Sequence, residues 1–278
     1  MASRSTSHGR TSFGADPQAY DAARPPYPSD LFDWLAGVCG LGPGAECVEI
    51  GAGTGLASLP VLQRGVRSLL AIEPDAGLAG RLRQKTDGDP RLDLRIARFE
   101  DVALAPHSAD LVFAATSFHW LARGRALARV RAALRPGGWF AMWWHVFHDP
   151  ETPDEIDRAV AARFEGLEEG RRKSGPQRAF GLDAPARLGE LRSAGFTDVR
   201  SAVFEQVIDF SPDALAALFG TLSRVAGAPE PVRKALLEEV MQAVRASPSG
   251  RVRRTVRTGV YAGVCSPSAS AAQGETPV

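Results

Sequence analysis

The chain has 278 residues, 44% hydrophobic and 23% charged, enough apolar material for one large domain or a domain with a cap. Its net charge is +1 with acids and bases interspersed, which argues against a surface for nucleic acid or anionic membrane. Cys39, Cys47 and Cys265 stand far apart with no C-x-x-C pair, so neither a disulfide framework nor a metal site is expected.

The opening stretch MASRSTSHGRTSFG has no apolar core of a signal peptide, and no apolar run reaches the length of a membrane span. A cytoplasmic location without membrane contact is the expectation, and the sequence says nothing of oligomeric state. Residues 1–15 and 266–278 are small and polar and read as flexible tails. In YDAARPPYP (20–28) three prolines stiffen an extended, lid-like segment. Short apolar runs then follow at ECVEI (46–50), SLLAI (68–72), LDLRI (92–96), ADLVFAA (109–115) and WFAMWW (139–144), separated by helix-like stretches such as 121–135. This rhythm predicts an α/β fold, a mostly parallel sheet with helices on its faces, over a core of 16–149. At 155–173 and 184–194 two amphipathic helices predict a small helical cap spanning 150–195. Period-2 alternation returns at 196–210 and 253–264, an antiparallel pair closing the sheet edge, with helices at 212–222 and 230–244 between them; 196–265 thus completes the core sheet.

VEIGAGTGLASL (48–59) sets Glu49 ahead of Gly51, Gly53 and Gly55, in a loop with Ala52 that leaves a predicted strand, where open α/β sheets bind ligands. Glycines there permit positive φ and a close ligand approach. The sixth position of a dinucleotide G-x-G-x-x-G pattern is Leu56, and the Gly-Lys-Ser/Thr of a P-loop is absent. A carboxylate beside the loop repels pyrophosphate and attracts an ammonium or sulfonium, so the ligand is expected to be cationic at this end. Glu73, followed by Pro74 in LLAIEPD, lies at the spacing where an acid accepts both hydrogen bonds of a ribose, although an acid favoured by the helix macrodipole explains it as well. S-adenosylmethionine has the ribose, the charge and an adenine. RFED (98–101) offers Phe99 for the adenine face and Glu100 as its polar neighbour.

Taken with AIEPD, ARFEDVAL, SADLVFAATSFHW and LRPGGWFAMWW, VEIGAGTG resembles the class I S-adenosylmethionine-dependent methyltransferases. The FHW element and YDAARPPYP look most like the small-molecule branch that includes trans-aconitate methyltransferases. The resemblance covers roughly 13–264 and implies a Rossmann-like seven-stranded sheet with the last strand antiparallel. By that resemblance Glu49 and the three glycines match the methionine-binding motif and Glu73 the ribose carboxylate. Phe99 and Glu100 match the adenine loop, and Ala115 and Thr116 line the cofactor. Arg98 stands where the family often has an acidic or small residue.

The implied reaction is methyl transfer from S-adenosylmethionine to a small organic acceptor, with secondary metabolism as a setting; no nucleic acid is expected, since no N/D-P-P-Y element follows the fourth strand. His119 is the candidate general base and His145, placed after the fifth strand, a second one. Trp120 is a candidate pocket wall, and Tyr20, Arg24 and Tyr27 are candidate substrate contacts through the lid. Packing explains each of these residues as well. Two other readings stay open: an S-adenosylmethionine-binding protein that does not methylate, and an NAD(P)-dependent oxidoreductase.

Overall fold

A computed structural model describes residues 16–167 and 178–266. The tails expected at 1–15 and beyond 266, and the end of the helix expected to reach 173, lie outside the described residues.

Helix α1 (Pro17–Ala23) is capped by Asp16, whose carboxylate accepts the Ala19 N–H, and α2 (Ser29–Cys39) stops at Gly40 in the left-handed region. A βα rhythm follows: β1 (Glu46–Ile50), α3 (Ser58–Gln63), β2 (Ser68–Ile72), α4 (Ala76–Thr86), β3 (Leu92–Arg95), β4 (Ala109–Ala115), α5 (Arg123–Ala133) and β5 (Leu134–Val146). The chain continues through α6 (Glu155–Gly166), α7 (Ala184–Ser193), β6 (Thr197–Phe210), α8 (Pro212–Gly220), α9 (Ser223–Ala226), α10 (Glu230–Arg245) and β7 (Val252–Val264).

The seven strands form one sheet in the order β3-β2-β1-β4-β5-β7-β6. Pairs among β1 to β5 are parallel, and β7 runs antiparallel to both β5 and β6, as the alternating C-terminal runs imply. From β1 the chain moves outward to β2 and β3, then returns to place β4 on the other side of β1. The loops after β1 and β4 therefore diverge, and a crevice opens between them at the carboxyl ends of the strands.

Period-2 alternation divides the strands between two cores. Leu111, Phe113, Ala141 and Trp143 face α2 and α3, where Leu31, Phe32, Leu35 and Val61 cover them. Val112, Ala114, Phe140, Met142 and Trp144 face α5, where Ala126, Leu127 and Val130 do the same.

Strand β5 begins earlier and ends later than WFAMWW suggests. Pairing with β7 extends it to Val146, so His145 lies within the strand, opposite Thr258. The two helices expected as one cap also part company. Ile156 and Val160 of α6 join α8, α10 and the far end of β7 in a third core with Phe219, Val240 and Val256. Leu191 of α7 instead packs with Phe140 and Phe196 against the sheet. Among the described residues no helix is long and apolar enough to cross a membrane.

A buried ion network pins α6 to β7. Arg254 donates from Nε to Asp154 at 2.5 Å and from Nη2 to Asp157 at 2.6 Å, and His148 Nδ1 lies 3.0 Å from the same Asp157 carboxylate. Arg254 and Asp157 are both almost wholly buried, so removing one charge leaves the other without solvent or its main partner. Arg254→Met is expected to cost about 3–5 kcal/mol, read as a lower urea midpoint; an unchanged midpoint would contradict the role given to this network.

Candidate functional site

The loop after β1 is shaped by three positive-φ glycines, at +73°, +58° and +89° for Gly51, Gly53 and Gly55. Two of them also make room for close approaches. A Cβ on Gly51 would meet Ser117 Cβ at 2.6 Å and one on Gly55 would meet Leu82 Cδ1 at 2.5 Å, whereas a Cβ on Gly53 would meet nothing within 4 Å. The loop is thus held against β4 and α4 at its ends, and its middle glycine faces open space. Ser117 completes the first contact, its hydroxyl donating to the Ile50 carbonyl.

Glu73, at the end of β2, ties this loop to its neighbour. One carboxylate oxygen accepts the Gly53 N–H at 2.8 Å and the other accepts the Asp75 N–H at 2.8 Å. The side chain is nearly buried, and burial raises its pKa despite these two bonds. A carboxyl oxygen of the protein thus already holds the Gly53 N–H, which is then not free for the pyrophosphate of a dinucleotide. Each oxygen keeps a further lone pair for a donor such as a ribose hydroxyl.

Glu49 is placed differently from the expectation of an acid standing open beside a cationic ligand. Its side chain is fully buried beneath the loop, where one oxygen accepts the Ser58 hydroxyl at 2.5 Å and the other has no hydrogen-bond partner. Burial pushes its pKa up to about 8, with the Glu73 charge adding to the effect. At neutral pH this group is mostly a neutral acid, and a nearby positive charge would draw it toward the carboxylate.

Around the loop, α1 forms a strap. Asp21 accepts the Thr54 hydroxyl at 2.7 Å and the Lys85 ammonium at 2.7 Å, with Arg81 at 3.4 Å, so α1 is fastened to both the glycine loop and α4. Neither Asp21 nor Thr54 stood out in the sequence. Tyr27, expected to contact substrate, is a core residue: its hydroxyl meets Thr116 Oγ1 at 2.8 Å and its ring stacks on His145 at 4.4 Å. His145 is buried against Thr258 Oγ1 at 2.7 Å, and burial, with the Arg24 charge behind it, lowers its pKa to about 3. It is therefore corrected from a second base to a neutral packing residue. Thr116 has φ +54°, rare for a β-branched residue, and its N–H is held by the Trp143 carbonyl at 2.7 Å. Such a backbone costs about 1–3 kcal/mol and clusters at functional sites.

On the adenine side, Phe99 opens the short 3₁₀ turn Phe99–Asp101 and lies in the core, with the Arg129 guanidinium 5.3 Å from its ring. Its ring face is thus taken up by packing, which leaves its backbone and the half-buried Glu100 for a ligand. Arg98 reaches Glu100 at 3.6 Å. Ala52 is buried, Pro74 exposed and Ala115 half-buried at the end of β4.

The 3₁₀ turn Phe118–Trp120 follows β4. His119 Nδ1 accepts the Trp144 indole N–H at 3.0 Å, and the rings of Trp120 and Phe180 lie 4.8 and 6.0 Å from its own. Burial, together with the charges of Arg123 and Arg24, lowers its pKa to about 4. With Nδ1 accepting, the neutral ring carries its proton on Nε2. A general base needs a free nitrogen at the acceptor, so the expected base is instead arranged as a donor. Arg24 also donates from Nη2 to the Thr221 carbonyl at 2.8 Å and lies 5.3 Å from the Tyr20 ring. Among the described residues no cluster of His, Cys, Asp and Glu is suited to a metal ion.

Residues 48–142 match the Methyltransferase domain family. Over 257 residues the chain is 26% identical to an uncharacterized methyltransferase of Schizosaccharomyces pombe, covering 91% of this chain and 96% of that protein. Among solved structures it is similar to a methyltransferase from Anaeromyxobacter dehalogenans, with 26% identity, a TM-score of 0.62 and coverage of 88% and 99% of the two chains. Its fold is also that of a Haemonchus contortus phosphoethanolamine N-methyltransferase in complex with S-adenosyl-L-methionine, at 15% identity and a TM-score of 0.53 over 95% of this chain and 59% of that one.

The Glu49 carboxyl gives the site a titration of its own. Between its ordinary pKa of 4.5 and about 8 the folded chain keeps a proton that the unfolded chain has lost. Stability from this group is full below pH 4.5 and falls as pH rises through that window, by about 1.4 kcal/mol per pH unit. Urea denaturation from pH 5 to 8 is expected to show the parent losing stability relative to Glu49→Gln. Parallel profiles would contradict the buried, protonated acid.

Proposed function

The chain is an S-adenosylmethionine-dependent methyltransferase, and from that premise we propose that it methylates a small organic acceptor bound beside His119. The FHW element at 118–120 and the YDAARPPYP segment at 20–28 support a place near the trans-aconitate methyltransferases. The observation that carries the proposal is the surroundings of His119: three aromatic side chains and two guanidinium charges converge on one half-buried ring. Such a setting suits a compact apolar molecule with a polar or anionic group.

The residues of the crevice fit the cofactor. Glu49 has a buried oxygen with no hydrogen-bond partner, and Gly53 leaves open the space that a Cβ would fill. Glu73 would hold the ribose hydroxyls on the lone pairs left by Gly53 and Asp75, and Glu49 would answer positive charge above the loop by ionising. S-adenosylmethionine supplies an electrophilic methyl group and leaves as a neutral sulfide. The protein's own part is chiefly positioning, which can lower a barrier by roughly 7–11 kcal/mol. His119 donates from Nε2 to the acceptor and so fixes the direction of its lone pair, while the aromatic side chains keep water from the transferred group.

A panel of small acceptors incubated with labelled S-adenosylmethionine tests the proposal, and one should gain a methyl group with release of S-adenosylhomocysteine. Cofactor binding with no product from any acceptor would count against it. Glu73→Ala is expected to weaken S-adenosylhomocysteine binding by about 1.5–3 kcal/mol in calorimetry, and unchanged affinity would remove Glu73 from the ribose site. On the methylated acceptor, His119→Gln should keep most of the turnover because it retains a donor, whereas His119→Ala should lose about ten- to a hundredfold. Equal losses in both variants would restore the general base.

A further inference from the structure

We infer that Trp144 is a positioning residue that fixes His119 as a hydrogen-bond donor at Nε2, an inference that rests on His119 facing the acceptor as proposed above. The Trp144 indole has one polar group, an N–H that can only donate, and it lies 3.0 Å from His119 Nδ1. A donor at Nδ1 is compatible with a neutral imidazole only when that nitrogen is bare, so the proton stands on Nε2. The indole therefore sets the tautomer, and the tautomer sets what His119 offers to its other side.

The position of the indole is itself tightly held. Trp144 is 4% exposed on β5, and the Phe180 ring packs edge-on against it at 5.1 Å and 83°. Phe180 opens the short 3₁₀ turn Phe180–Leu182, and this turn is pressed onto the strand. A Cβ on Gly181 would meet Trp144 Cβ at 2.7 Å, and one on Gly259 of β7 would meet the Gly181 carbonyl oxygen at 2.1 Å. The Tyr261 hydroxyl donates to that same carbonyl at 3.0 Å. On its outer side Phe180 carries the Arg187 guanidinium at 3.7 Å, and Arg187 is anchored to Glu190 at 2.8 Å. Two glycines, a tyrosine and a cation thus clamp the turn onto Trp144, and Trp144 aims its N–H at His119.

The charged groups acting on His119 favour the same state. Arg123 of α5 and Arg24, just past α1, both disfavour the imidazolium, and the other rings around it, Trp120, Trp144 and Phe180, carry no charge. His119 therefore stays neutral with a defined proton, and an acceptor has to bring its own unprotonated attacking atom.

The test is a long-range proton–nitrogen spectrum of the full chain labelled with ¹⁵N-histidine, in which His119 is assigned by its loss in His119→Gln. At pH 7 the parent is expected to show His119 protonated on Nε2 and bare on Nδ1. Trp144→Phe, which keeps an aromatic ring in the slot, should move both nitrogens toward the averaged values of a mixed tautomer. It should also cut turnover about tenfold through kcat on the acceptor found in the panel, with S-adenosylhomocysteine affinity within twofold of the parent. A parent His119 protonated on Nδ1, an unchanged pattern in Trp144→Phe, or a lost pattern with unchanged turnover would each overturn the inference. If Trp144→Phe does not fold, Gly181→Ala decides between the same outcomes by displacing the indole. If the tautomer behaves as expected and no acceptor is methylated, the proposed function fails while the bond from Trp144 to His119 stands.

Discussion

The Glu73 carboxylate is the interaction on which the site depends. It sits where two βα connections meet, and by accepting one N–H from each it fixes the distance between the glycine loop and the start of α4. Without it the Gly53 N–H would face an acidic, half-buried crevice with no partner, and the loop's positive-φ backbone would have little to hold it. The contact between Gly51 and Ser117 and the link from Thr54 to Asp21 both build on a loop already placed by this bond.

The crevice that results has two electrical characters. The side proposed for the cofactor holds the Glu73 carboxyl and, beneath the loop, Glu49, whose burial favours the neutral form and which a cation above the loop would draw toward the carboxylate. The side proposed for the acceptor is lined by aromatic rings and guanidinium groups, with a histidine that stays neutral. A positively charged methyl donor and an electron-rich acceptor are each matched to the half they would occupy. The strap from α1 through Tyr27 closes the two halves together, because Tyr27 joins Thr116 at the end of β4 to His145 on β5.

Much of this was legible in the sequence where local pattern decides structure. ECVEI, SLLAI and ADLVFAA are strands with the bounds their apolar runs suggest, and the glycines of VEIGAGTG form the loop at the sheet's carboxyl edge. What could not be read depends on partners distant in sequence. LRPGG joins β5 through the reciprocal bonds of Gly137 and Gly138 with Cys265, and that pairing also carries His145 into the strand's interior. Tyr27 looks like a lid residue in a proline-rich segment until His145 is found beneath it. Ser58, a small polar residue just past the acid and the glycine loop, carries a faint signal and Ser117, behind ADLVFAAT, carries none; only the fold brings them to Glu49 and Gly51. Trp144 looks like one more apolar position in WFAMWW, since alternation tells which face a residue takes and not where its N–H points.

The central claim is that the crevice between β1 and β4 holds S-adenosylmethionine with its ribose on Glu73 and its positive end near Glu49. A crystal structure of the protein with sinefungin, in which a carbon bearing a charged amine replaces the sulfur bearing the methyl group, tests this most directly. The account predicts both ribose hydroxyls on the Glu73 carboxylate, the ligand backbone passing over Gly53 with its positive charge near Glu49, and the amine, which stands where the methyl group would, pointing from there toward the rings beside His119. A ligand bound elsewhere, or one with its adenine at Glu73, would contradict it.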